Sequence, residues 1–149
     1  MKNLISFFDR SKGKWISQRT TYELSNKNMN SLQSRMIIQS DNLSSNSNLI
    51  TSLKWGDCYR QIIGDLDNYN IINENTKFHL KFTNQFSTKK LVTLCTITDE
   101  SLVSFKTRYG SMTIDETYWF ATNNLRLSTS IIKRFNVCVA VSFCSEIKV

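Results

Sequence analysis

A chain of 149 residues, 40% of them hydrophobic and 11% aromatic, is long enough for one domain with a real core and too apolar to stay disordered. Its formal charge of +7 admits an acidic ligand or protein, a membrane surface or nucleic acid. Lys and Arg are scattered along the chain with no dense basic helix, which argues against the last of these.

Residues 2–12 read as a short helix, because Leu4, Ile5, Phe7 and Phe8 make one apolar stripe and Gly13 stops it. Such a helix covers something, here one end or edge of a sheet. Residues 14–24 are a long strand with Trp15, Ser17, Arg19 and Thr21 on one face. Residues 25–31 are a polar turn and 32–39 a second strand. Residues 40–48 are Ser/Asn-rich and read as loop. Residues 49–55 are strand-like and end at Trp55-Gly56-Asp57. A strand resumes over 59–63, and 65–75 is read as loop. From residue 77 the pattern is hairpin after hairpin, with strands over 77–86, 91–98, 102–109, 113–121, 125–135 and 137–149. Turn signals separate them, among them Gly110-Ser111, Asn123-Asn124, chosen because Asn tolerates positive φ, and Asn136. Sequential strands at this spacing predict a mainly β, single-domain chain (1–149). The form expected is an antiparallel up-and-down barrel with a short N-terminal helix.

A period of two sorts the hairpin 113–135 into faces. Ile114, Glu116, Tyr118 and Phe120 share one, and Arg126, Ser128, Ser130 and Ile132 share another. A carboxylate and a guanidinium on neighbouring strands are either a surface ion pair or a pair lining a cavity. The last strand favours the cavity. Val137, Val139, Val141 and Phe143 form a bulky face, while Cys138, Ala140, Ser142, Cys144 and Glu146 form a small one that ends in an acid. Small inward side chains leave room for one small ligand. Arg19 and Arg126 suit an anion bidentately. Trp15, Trp55 and Trp119 offer flat apolar surface, Ser142 lines the small wall, and Glu116 or Glu146 accepts from ring N–H groups. A planar, extended molecule with both acid groups and ring nitrogens meets these demands, which describes a linear tetrapyrrole better than a fatty acid.

The four cysteines (Cys58, Cys95, Cys138, Cys144) contain no CxxC, and with the single His79 they form no metal-ligand set. Each is read as a small buried thiol rather than a nucleophile. No phosphate loop, catalytic triad or HExxH is present. Neither a signal peptide nor a membrane span is visible, so the protein is expected to be soluble, without membrane insertion. Plentiful Asn, Ile, Lys and Ser is a bias that AT-rich genomes produce, organellar ones among them.

Three blocks of sequence carry a resemblance. Ser6 to Arg19, with Gly13-Lys14-Trp15 and Ser17-Gln18-Arg19-Thr20, is similar to the opening of the S-type phycobiliprotein chromophore lyases, the CpcS/CpeS family. Trp119-Phe120-Ala121-Thr122-Asn123-Asn124-Leu125-Arg126-Leu127 resembles its central block, and Ser142-Phe143-Cys144-Ser145-Glu146-Ile147 its C-terminal signature. The stretch 26–75 is shorter and more divergent. The resemblance implies a lipocalin-like (fatty-acid-binding-protein-like) barrel that binds a phycobilin as substrate, with no cofactor. It further implies delivery of that bilin to a cysteine of an apo-phycobiliprotein as a thioether. It carries the family's chromophore-contacting residues onto Arg19, Trp55, Glu116, Arg126 and Glu146, with Arg holding propionates and either acid as proton donor. Ser128 stands where the family has a second Arg, which removes one cationic contact, and Asn123 where it often has Pro. Plastid stroma, or cytoplasm in a cyanobacterium, is the location implied. A homodimer or a related lyase subunit stays open as partner. The alternatives are a non-catalytic bilin or lipid carrier, separated only by covalent transfer, and a nucleic-acid-binding barrel, which predicts a steep salt dependence.

Overall fold

One helix, α1 (Lys2–Ser11), precedes ten strands: β1 (Gly13–Glu23), β2 (Asn28–Leu43), β3 (Asn48–Trp55), β4 (Cys58–Asp65), β5 (Asn75–Thr83), β6 (Thr88–Ile97), β7 (Leu102–Tyr109), β8 (Met112–Thr122), β9 (Leu125–Arg134) and β10 (Val137–Lys148). The computed structural model describes residues 2–43, 48–55, 58–65, 75–83, 88–97 and 102–149, and the side chains of 6–7, 9–39, 95–96 and 102–149. Every strand pairs antiparallel with the next, and β1 also pairs with β10, so the order closes on itself. Closure removes the unpaired edges that a meander of this length would otherwise expose.

Gly13 ends the helix with φ near 130°, a conformation that side chains with a Cβ rarely adopt. Phe7 from α1 is buried edge-on against Tyr118 (6.5 Å) and Phe120 (5.4 Å). Trp15 packs against Phe120 at 6.3 Å, and its Nε1–H donates to the Ser11 carbonyl at 2.8 Å. Lys148 Nζ donates to the Arg10 carbonyl at 2.9 Å. The helix therefore closes one end of the barrel, with the aromatic core beneath it; burying Phe7 alone contributes roughly 2 kcal/mol.

Two expectations are corrected. Residues 40–43 are strand rather than loop. β2 pairs with β1 up to Ile38 and with β3 from Ile37 to Leu43, so the ladder holds the polar Ser40-Asp41-Asn42 extended. The turn at Asn123-Asn124 forms without positive φ at either residue; among the described non-glycine residues only Lys27, Phe135 and Asn136 have it. A register shift between Phe120 and Thr122 bends β8 there, and Thr122 Oγ1 accepts from the Asn124 N–H at 3.2 Å.

Candidate functional site

The register stacks the inward residues of β1, β10, β9 and β8 into cross-strand rows. Beneath α1 lies Ser17–Glu146–Arg126–Phe120. Next comes Arg19–Cys144–Ser128–Tyr118, then Thr21–Ser142–Ser130–Glu116, then Glu23–Ala140–Ile132–Ile114. The period of two puts the small face of β10 on the inside, as expected, and its neighbour β9 adds Ser128 and Ser130. One side of the barrel interior is thus walled by small polar residues between an aromatic floor and the rim distal to α1.

The row nearest the helix is an ion-paired floor. Arg126 and Glu146 are each 3% exposed, and Arg126 Nε donates to Glu146 Oε2 at 2.5 Å. Arg126 Nη1 donates to Ser11 Oγ at 3.0 Å, and the guanidinium lies 5.3 Å from the ring centres of both Trp15 and Tyr118. Its Nη2 is buried with no hydrogen-bond partner among the described residues. This pairing alters two expectations. Arg126 is expected to hold a ligand anion and Glu146 to hold or protonate pyrrole nitrogens, yet each neutralises the other under the helix. Glu116, 7% exposed, does not pair with Arg126. It stands in register with Ser130, and Arg126 with Phe120, four residues and about 13 Å along the strand. Burial of both also excludes the surface-ion-pair reading.

Arg19 is the half-buried cation of the next row. Burial lowers its pKa, but Tyr118, Cys144 and Glu116 outweigh this, so it stands above the ordinary arginine value. Arg19 thus keeps its charge while facing an acid and a phenol. The Tyr118 hydroxyl donates to Glu116 Oε1 at 3.1 Å. Ser142 and Ser130 share a short hydroxyl–hydroxyl bond, and Cys144 Sγ is 3.1 Å from Ser17 Oγ.

Arg19, Glu116, Ser142, Arg126, Glu146 and Trp15 therefore belong to one interior, with Trp15 wholly buried in its floor. Trp119 does not. It alternates with the inward Tyr118 and Phe120 and stands in outward register with Leu127 and Leu102, so it cannot share a cavity with Glu116. The Trp55 side chain lies outside the described ones. Sequence reasoning missed Ser11 and Tyr118. Ser11 was detectable as the polar residue four positions after Phe7 on the apolar stripe of α1, and Tyr118 as the phenol two residues from Glu116 on one strand face.

A closed antiparallel barrel, plugged at one end by a helix and lined inside by a charged, small-residue wall, defines a lipocalin-like small-molecule barrel. A family model described as CpeS-like protein matches residues 3–55 and 78–149. The chain is 73% identical to the chromophore lyase CpcS/CpeS homolog of Porphyra purpurea over 149 residues, 100% of both chains. It is 69% identical to the homolog of Pyropia yezoensis, again over 100% of both. Its fold is similar to that of the S-type phycobiliprotein lyase CPES from Guillardia theta, with a TM-score of 0.70 at 19% identity, covering 98% of this chain and 92% of that one. The chain belongs to the CpeS-like family of CpcS/CpeS chromophore lyases.

Proposed function

We propose that this protein is a phycobiliprotein lyase: its barrel takes a linear tetrapyrrole and passes it to a cysteine of an apo-phycobiliprotein. Membership of the chromophore lyase family supports the reaction class. The observation that carries the substrate class is the pair of adjacent interior rows in which Arg19, charged and half-buried, faces Tyr118 and Glu116 across the small wall of Cys144, Ser128 and Ser142.

In this reading Arg19 holds a bilin propionate. Glu116, oriented by Tyr118, holds or protonates the pyrrole nitrogens, which draws electron density from the exocyclic ethylidene group. The acceptor thiol adds across that C=C bond. A C–S bond forms at the ethylidene carbon, the thiol proton ends on the ring carbon, and nothing is oxidised or reduced. The Arg126–Glu146 pair and Trp15 set the depth of the site and exclude water from its closed end.

No thiol of this chain is needed as nucleophile. Cys95 and Cys144 are buried, and burial pushes the Cys95 pKa up to about 12. A plastid-stroma location goes with this reading, supported by the Asn/Ile/Lys/Ser-rich composition; detection of the protein only outside plastids in cell fractions would overturn it. The lyase reading is tested by incubating protein, bilin and acceptor, then repeating with the acceptor cysteine changed to serine. Acceptor colour that survives denaturation only with the cysteine present is the expected result. Colour that never leaves the barrel would make the protein a carrier.

A further inference from the structure

We infer that the rim distal to α1, with the adjoining outer face of β9, β10 and β1, is where the acceptor protein docks, and that Phe135 is its anchor. This rests on the lyase reading above. The turn Phe135-Asn136 joins β9 to β10, and both residues have positive φ, 49° and 62°. Asn tolerates that backbone; a bulky aromatic rarely adopts it. Yet Phe135 is 78% exposed, so it packs no core in return. A strained, solvent-facing aromatic is an observed outlier of the kind that collects at functional sites.

Its surroundings agree. The neighbouring Val137 is 65% exposed. Behind it a cross-strand row of exposed apolar residues runs Ile131–Val141–Tyr22–Met29 over four strands, with Phe143 beside it. Beyond Leu102, the outer face of β7 and that of the start of β8 are polar by contrast, with Ser104, Lys106, Thr113, Asp115 and Thr117. A contiguous apolar strip of this kind on one wall marks a protein partner. Beside Phe135 lies a shallow depression of about 240 Å³ that includes Arg108, Gly110 and Ser111, roomy enough for one partner side chain.

Charge selects the partner. Lys27, Arg108, Lys133 and Arg134 bracket the strip, and none of them has a carboxylate partner among the described residues. The nearby acids are engaged: Glu23 accepts from Asn26 at 2.8 Å, and Asp115 lies 3.9 Å from Lys106. A second copy of this chain meeting the same face across a two-fold axis would set cation against cation. A partner with an apolar centre and an acidic rim fits instead. Position supplies the link to the chemistry. Helix α1 seals the other end of the barrel, so a thiol that must come within about 3–3.5 Å of a bilin held by Arg19 arrives over this rim.

The test measures bilin binding, transfer at varied acceptor concentration, and binding of acceptor to the bilin-free protein. The variants are Phe135→Asn, which suits the turn and keeps the fold, and Val141→Thr. The expected result is unchanged bilin affinity, with the apparent KM for acceptor raised about tenfold by Phe135→Asn and less by Val141→Thr. Added salt should raise the wild-type KM. Variants equal to wild type at limiting acceptor would overturn the proposal. So would a wild-type dimer that the variants dissociate with transfer unaltered, which would assign the face to a second copy. If wild type transfers no bilin yet binds acceptor, and Phe135→Asn weakens that binding, the docking face stands and the lyase reading falls. Absence of both transfer and binding would sink both.

Discussion

Replacing Glu146 by Ala leaves the Arg126 guanidinium buried with Ser11 Oγ as its remaining hydrogen-bond acceptor among the described residues, since Nη2 already lacks one there. Both side chains are 4% exposed, so water does not rescue the charge. Removing one member of a buried pair costs about 3–5 kcal/mol. Against a total of about 5–15 kcal/mol for a domain, that is a large fraction. The double variant Arg126→Met with Glu146→Leu removes both charges and keeps the volume filled, so its stability should return to within about 1–2 kcal/mol of wild type. Urea unfolding at constant m measures both. In the transfer assay the folded double variant should keep most of its activity, because the pair serves as a floor. A single variant costing under about 1 kcal/mol would refute the argument from burial. A stable double variant that binds bilin but transfers none would make Glu146 the proton donor.

Three further outcomes follow from the same interior. Arg19→Gln should weaken bilin binding by about 10–100-fold with little change in stability, and a bilin esterified at its propionates should bind both forms alike; equal loss on esterification in both would show that Arg19 does not hold the carboxylate. Cys95 is protonated in the folded protein up to about pH 12 and titrates near 9.0 when unfolded, so between those values the folded state binds the extra proton and stability falls as pH rises. From pH 9 to 10 wild type should lose up to about 1.4 kcal/mol more than Cys95→Ala, read by urea unfolding; parallel pH profiles would contradict this. Ser128→Arg, which restores the second Arg of the family pattern two strands from Arg19, should destabilise the empty barrel by about 1–3 kcal/mol, since Ser128 is buried, and recover stability when bilin is added. No recovery with bilin would show that the new cation does not reach the ligand.

Much of this architecture was legible because a period of two is a strong local signal. β7 has the expected bounds, 102–109, and the inward faces of β8, β9 and β10 are those the alternation assigns. The small wall of β10 could be read for the same reason. Trp119 shows the rule neglected: adjacent residues of a strand cannot face the same cavity, so a site containing Glu116 excludes it. The pairing of Arg126 with Glu146 was not legible, because two acids were available and only the closed register of β8, β9 and β10 decides which one lies beside it. The bond between Ser11 and Arg126 depends on where the helix docks, which no local pattern specifies. β2 outran its propensity because pairing with β3 extends a segment whose composition reads as loop.

A lyase of this kind releases its bilin as a thioether on another protein. The most direct measurement is the mass of the acceptor's cysteine peptide after a single-turnover reaction with bilin-loaded protein, with Glu116→Gln run alongside. The peptide should gain the full mass of one bilin, at a rate that falls by about 10²–10⁴-fold in the variant. An acceptor peptide of unchanged mass, with the bilin still in the barrel, would contradict the lyase reading.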